Sequence, residues 1–270
     1  MLFWVFFRHP VYRADEVYLV GGDEVVVTQA GTHTHGLDRF FASLYGKPVP
    51  GLAFFTLSLI SIQARRSFPV RVEQVIRNDA EKAANKAQAA AKKARSSMTK
   101  RRPGRPKGSK NTNKADVMLT PELVRIKSMI AALLHLIAAC LPVASLVLDG
   151  HFGNRTALRT AQECHLDLIS KLRADLALYW PYDGPHAGPG PRRKYGSKVD
   201  YTHLPEQCLK ETTVEGPIQT RLYQAQLLHK EFAQPLHVVI IVTTHLRTQA
   251  QAHVLLCSRD LTLAYTSLVD

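Results

Sequence analysis

Acidic residues are missing from one long stretch of this chain: between Lys82 and Lys114 there are twelve Lys or Arg residues and no Asp or Glu. The formal net charge is +13, so removing that stretch leaves 13 − 12, about +1. The basic character is therefore local, a footprint for a polyanion rather than a property of the whole surface. Cysteine is scarce as well. Cys140, Cys164, Cys208 and Cys257 lie far apart with no Cys-x-x-Cys pair, which argues against a zinc knuckle and a small disulfide scaffold and fits a reducing cytosol. A secretory leader is not seen either: Met1 to Phe7 is apolar, but Arg8 and His9 follow too soon for a signal-peptide core and cleavage site. This start is read as a truncated edge.

What is present is enough apolar sequence, 46% of 270 residues, for one large or two small cores. Met129 to Leu148 contains no Lys, Arg, Asp or Glu and has about the length of a membrane span. Pro142 divides it, His135 sits inside it, and Ala and Leu before the proline give way to Val and Leu after it. A buried helix followed by a buried strand fits this change better than a span.

The opening is β-rich: Val17 to Val20 and Val25 to Thr28 read as short strands on either side of Gly21-Gly22-Asp23-Glu24, and Leu52 to Ile62 as a longer strand after a turn at Pro48 and Pro50. Asp79 to Arg95 is Ala- and Lys-rich with little apolar face, and passes into a Pro, Gly, Lys, Arg stretch that cannot bury a core. Thr120-Pro121-Glu122 opens a helix to about Cys140, Ala144 to Leu148 is a buried strand, and a second helix is predicted from about Thr156 to Leu176. Tyr182 to Lys198 is a Gly, Pro and Arg loop, and strands are expected at Thr212 to Val214, Thr220 to Gln224, Leu236 to Thr243 and Ala252 to Ser258. The predicted class is a mixed α/β sheet flanked by helices. Its divisions are 1–78, a basic insertion at 79–116, a helix–strand–helix unit at 117–180, a loop and β-rich insertion at 181–250, and a last strand in 251–270.

Two acids stand at the edges of apolar strands beside glycine: Asp23 and Asp149, the latter in Leu146-Val147-Leu148-Asp149-Gly150. On neighbouring strands, such carboxylates hold two divalent ions about 3.5–4 Å apart, which activate a nucleophile and stabilise the leaving oxygen of an in-line phosphoryl displacement. Oxygen ligands of this kind suit Mg²⁺. Each acid taken alone also reads as an ordinary turn, and Asp38 competes with Asp23 for the first position. His33 and His35 have no Cys or acid at matching spacing and are read as loop or strand residues.

The sequence resembles the RNase H-like DDE transposases of bacterial insertion sequences, in the IS-four-like branch with a β-rich insertion before the last acid. The resemblance rests on Tyr18-Leu19-Val20-Gly21-Gly22-Asp23-Glu24-Val25, on Gly36-Leu37-Asp38-Arg39-Phe40-Phe41 running into Tyr45-Gly46-Lys47-Pro48-Val49-Pro50-Gly51-Leu52, and on Leu148-Asp149-Gly150-His151-Phe152-Gly153-Asn154. It continues through Leu168-Ile169-Ser170-Lys171-Leu172-Arg173 and Arg193-Lys194-Tyr195-Gly196. The resemblance implies an RNase H-like core with Asp23 and Asp149 as the first two catalytic, Mg²⁺-binding acids. It further implies double-stranded DNA and transposon ends as partners, a homodimeric synaptic complex, and a cytoplasmic, nucleoid-associated location. The third acid is expected as a Glu on a helix after the last core strand; Glu206, Glu211, Glu215 and Glu231 precede that place, so the chain is expected to stop short of it and to be incompetent alone.

Two basic clusters are candidate DNA contacts. Around Arg101, Arg102, Gly104, Arg105, Pro106 and Lys107 the sequence resembles an AT-hook, whose Gly-Arg-Pro core enters a narrow A·T minor groove, although Pro103 stands where the usual hook has arginine. The competing reading is a solvated linker that contacts phosphates only. Arg192, Arg193 and Lys194, with Lys198, Tyr195 and Tyr201 nearby, form the second cluster, able to hold a backbone and stack on a base. The hook predicts that A·T-rich duplex outcompetes G·C-rich duplex at fixed salt; equal affinities would leave only the phosphate-binding linker.

Overall fold

The computed structural model describes residues 13, 16, 18–31, 33–97, 119–137, 141–186, 188–230, 232, 234–261 and 263–266. The AT-hook-like residues Arg101, Arg102, Gly104, Arg105, Pro106 and Lys107 lie outside them, as does Glu231. Among the described residues there are twelve strands and three α-helices: β1 (Tyr18–Thr28), β2 (Asp38–Ala42), β3 (Lys47–Ser61), β4 (Arg66–Val75), α1 (Asp79–Ser97), α2 (Pro121–Ile137), β5 (Val143–Leu148), α3 (Arg155–Glu163), β6 (Asp167–Leu172), β7 (Tyr179–Pro181), β8 (Tyr195–Lys198), β9 (Leu209–Glu215), β10 (Ile218–Leu227), β11 (Leu236–His245) and β12 (Gln251–Ser258).

Ten strands form one mixed sheet in the order β2-β3-β1-β5-β6-β12-β11-β10-β9, with β4 also on β3. β3 runs antiparallel to β1, and β5 and β6 run parallel to it. The run β4-β3-β1-β5-β6, three antiparallel strands followed by two parallel ones reached through helices, is an RNase H-like arrangement, as expected. Parallel neighbours need crossovers, and α2 and α3 supply them on one face. Pro121 occupies the first turn of α2, and Thr120 Oγ1 accepts from Leu123 N at 3.3 Å. Asn154 caps α3 by accepting from Thr156 N and Ala157 N, each at 3.0 Å.

The main core lies between these helices and the sheet. Leu123, Ile126, Met129, Ile130, Leu133 and Ile137 of α2 are buried with Tyr18, Val20, Leu57, Leu59, Leu146 and Leu148. The opposite face is covered far less: Ile169 and Val239 are buried there, with Val147, Ile241, Leu256, Leu263 and Tyr265 against them.

Three sequence expectations change. The predicted helix from Thr156 to Leu176 is instead the short helix α3 and the strand β6. His165 turns the chain with φ 57°, and Leu166, Leu168, Ile169 and Leu172 are all buried, a pattern that helical spacing also satisfies over so short a run. Gly21-Gly22-Asp23-Glu24 is not a turn between strands, because β1 runs unbroken through it. A Cβ on Gly22 would sit 2.7 Å from Leu148 Cδ2 and 2.8 Å from Phe55 Cζ, so this glycine is present for close strand packing. Pro48 and Pro50 lie within β3, whose first residues pair with β2. The run from Met129 to Leu148 is the end of α2 followed by β5, and no described helix is long and apolar enough to cross a membrane.

Truncating Leu133, 1% exposed, to alanine is expected to cost about 2–5 kcal/mol in urea unfolding. Gly22→Val should be at least as damaging, because it pushes β1 from β5; wild-type unfolding for both would remove α2 and the β1–β5 contact from the core.

Candidate active site

The register of three strands brings the two sequence-predicted acids together. Gly22 pairs with Leu148 across the parallel β1–β5 ladder, and Leu148 pairs with Ser170 across the parallel β5–β6 ladder. One residue further along each strand stand Asp23, Asp149 and Lys171. Side chains alternate along a strand, and Tyr18, Val20, Leu146, Leu148, Leu168 and Leu172 all face α2 and α3. Asp149 keeps an extended backbone, φ −65° and ψ 175°, so Asp23, Asp149 and Lys171 share the other face, and all three are exposed. Neighbouring strands lie about 5 Å apart, which places the two carboxylates side by side. Asp23 is thus in the middle of its strand, a position its sequence neighbours did not indicate.

A tight turn fixes Asp149. Its Oδ1 accepts from His151 N at 3.1 Å, its carbonyl accepts from Ser170 Oγ at 2.9 Å, and Asn154 Nδ2 donates to His151 O at 3.0 Å. Gly150 and Gly153 let this turn lie against β6: a Cβ on Gly150 would be 3.6 Å from Lys171 Cβ, and one on Gly153 would meet the Lys171 carbonyl. Asp38, the rival first acid, stands on β2 with β3 between it and β1. Its carboxylate is also committed, 3.4 Å from Arg77 Nη1 and accepting from Arg39 N at 2.7 Å. His33 and His35 fall in the loop between β1 and β2, where His35 O accepts from Gln74 Nε2 at 3.0 Å.

Behind the carboxylates, on the helix face, is a polar cluster that sequence reasoning missed: Glu24, Glu122 of α2, and His151. Burial pushes the Glu24 carboxyl above its ordinary value, and the charge of Glu122 adds to the effect. The Glu122 carboxylate, 3.9 Å from His151 Nε2, raises the imidazole's proton affinity as its acidic partner. The signal was hidden because Glu122 is linked to the other two only through the packing of α2 on the sheet.

The described residues do not complete a metal centre: no group of three or more His, Cys, Asp or Glu side chains is placed to hold an ion. Asp23 and Asp149 are oxygen donors of the kind a hard divalent cation takes, so they fit part of such a site. Glu211 and Glu215 are on β9 at the far edge of the sheet, five strand spacings or about 24 Å from β5.

The second basic cluster is well ordered by aromatic rings. β7 and β8 form a hairpin; the Arg193 guanidinium lies 5.2 Å from the Tyr182 ring and donates through Nε to Tyr195 O at 2.8 Å, and Lys194 Nζ lies 5.9 Å from the Tyr195 ring. Arg192 donates to Gly184 O at 3.3 Å. Tyr179 joins them, edge-on to Tyr195 at 5.7 Å with Lys230 at 4.8 Å. Tyr201 is elsewhere, stacked on His253 at 4.6 Å with its hydroxyl donating to Leu176 O, so its ring is already in use.

An RNase H-like sheet presenting adjacent aspartates at β1 and β5 defines a class of nucleic-acid-processing enzymes. Residues 5–232 match the DDE superfamily endonuclease family, and the chain belongs to that family. No curated protein matches the chain. The family uses a divalent metal and acts on DNA.

The raised Glu24 carboxyl has a defined pH signature. A folded-state value above the unfolded one means that the contribution of Glu24 to stability is full below the unfolded value and is lost as pH rises through the folded one. Glu24→Gln is therefore expected to raise the thermal midpoint at pH 7 relative to wild type, with the gain shrinking towards pH 4; an equal change at both pH values would contradict the burial of Glu24.

Proposed function

We propose that this DDE superfamily endonuclease is the catalytic core of a DNA transposase of the bacterial insertion-sequence type, in the IS-four-like branch, with Asp23 and Asp149 as two of its three Mg²⁺-binding carboxylates. The observation that carries the reading is the adjacency of Asp23 and Asp149 on one face, one residue beyond the Gly22–Leu148 pair. Acids on neighbouring strands, whose backbones lie about 5 Å apart, suit a cation held between them, and no salt bridge to a basic side chain engages either one among the described residues.

In the reaction the oxygen of a water, and later of a freed 3′-hydroxyl, attacks phosphorus in line with the bond to the departing 3′-oxygen. That bond breaks and the departing oxygen takes up a proton. Bound divalent ions would acidify the nucleophile and neutralise the leaving oxygen. Asp23 and Asp149 hold that charge in place, and the His151 and Ser170 hydrogen bonds keep Asp149 aimed at it. Arg192, Arg193 and Lys194 contact the DNA backbone at the β7–β8 hairpin, where Tyr182 and Tyr195 preset Arg193 and Lys194 and the Gly184 carbonyl holds Arg192.

Fe²⁺ with ascorbate in place of Mg²⁺ generates radicals at a divalent site and cuts the polypeptide beside it. Cuts are expected near Asp23 and Asp149, competed by Mg²⁺ and lost in Asp149→Asn and Asp23→Asn. Cuts elsewhere, or cuts unchanged in both variants, would sink the carboxylate assignment and leave a DNA-binding protein without a metal centre.

A further inference from the structure

The register row that aligns the two aspartates ends on a cation. Lys171 follows Ser170 on β6 as Asp149 follows Leu148 on β5, and its partner on the next strand is Leu256 of β12. Thr56 of β3 flanks Asp23 on the other side. Across the exposed face the row therefore reads Thr56, Asp23, Asp149, Lys171, Leu256, with its charges confined to three adjacent strands.

Lys171 differs from its strand neighbour in what it does not do. Arg173, two residues on, forms a two-point contact with Asp175 at 3.0 and 2.9 Å. The Lys171 carbonyl accepts from Ser170 Oγ at 3.3 Å, but the Lys171 ammonium makes no hydrogen bond or ion pair among the described residues, not even with Asp149 one strand away. Its stem is nevertheless placed, because Gly150 lies against its Cβ and Cγ. The turn that positions Asp149 thus also guides Lys171. An ammonium one strand from Asp149 and two from Asp23, neutralising neither, is suited to an anion that arrives at the same point, and Lys acts on phosphate as a mobile point charge.

We propose that Lys171 is a substrate-positioning residue of this site, whose ammonium holds a non-bridging oxygen of the DNA phosphodiester presented to Asp23 and Asp149. The proposal rests on the metal-binding reading of those aspartates for its chemistry. It commits to a phosphodiester, since the apolar Leu256 beyond Lys171 offers nothing to a base edge.

The test measures binding of a fluorescein-labelled 30-base-pair duplex by the whole chain across a salt series, with Mg²⁺ and with EDTA. Lys171→Gln and Lys171→Ala are expected to weaken binding severalfold and to flatten the plot of log affinity against log salt by about 0.9, the loss of one phosphate contact. Lys171→Arg should keep the wild-type slope. The thermal midpoint and the Fe²⁺ cuts near Asp23 and Asp149 should persist in all three variants, because an exposed, unpaired side chain holds neither fold nor metal. An unchanged slope in Lys171→Gln, with the Fe²⁺ cuts intact, overturns the role of Lys171 and leaves the carboxylate site standing. Fe²⁺ cuts unaffected by Asp149→Asn overturn the carboxylate site instead, while the slope still decides whether Lys171 touches phosphate. A collapse of the thermal midpoint in Lys171→Arg would show a structural residue and also overturn the proposal.

Discussion

The parallel pairing of β1 with β5 is the contact on which the rest depends. It brings together segments separated by more than a hundred residues, and it needs a crossover helix to return the chain in the same direction. α2 provides that crossover and fills the space above the two strands with Ile126, Met129, Ile130 and Leu133. Gly22 lets the strands and Phe55 pack without a side chain between them. Once Gly22 and Leu148 are paired, the alternation of side chains turns Asp23 and Asp149 to the opposite face. A slip of β1 by one residue would send Asp23 to the core face while Asp149, held by the pairing of β5 with β6, stayed where it is. The register is thus specified by hydrophobic burial on one face and exploited by charge on the other.

That division of labour explains the asymmetry of the sheet. Among the described residues the helix face carries most of the buried side chains, while the face of the aspartates has its buried cluster around Ile169 and Val239. The catalysis proposed for this face needs an open surface where a rigid backbone fixes the ligands. The sheet would supply that rigidity, and the Asp149–Asn154 turn, tied to β6 through Ser170, would supply the aim.

The β-rich extension continues the same sheet rather than forming a separate body. β12 pairs antiparallel with β6, and β11, β10 and β9 follow outward. Tyr179 pairs with Leu228 at the end of β10, which links the basic β7–β8 hairpin to this extension. The aromatic rings beneath Arg193 and Lys194 reduce the freedom that long cationic side chains would lose on meeting a phosphate backbone.

The sequence by itself determined the mixed α/β class, the start of α2 at Thr120-Pro121-Glu122, and the place of Asp149 at a strand end, because caps, apolar runs and strand-edge acids are local signals; it singled out Asp23 beside Asp38, but for a strand edge that proves to be mid-strand. It also showed the basic stretch between Lys82 and Lys114 as a concentration of charge. It misread the Gly21-Gly22 pair as a turn and β6 as helix, because a glycine's need for space and a six-residue apolar run have no unique local signature. Only the tertiary structure decided that Asp23 rather than Asp38 neighbours Asp149, that Glu24 and Glu122 stand behind them, and that Lys171 completes their row. Each of these is a relation between residues distant along the chain, set by strand order and register, which one-dimensional spacing does not encode.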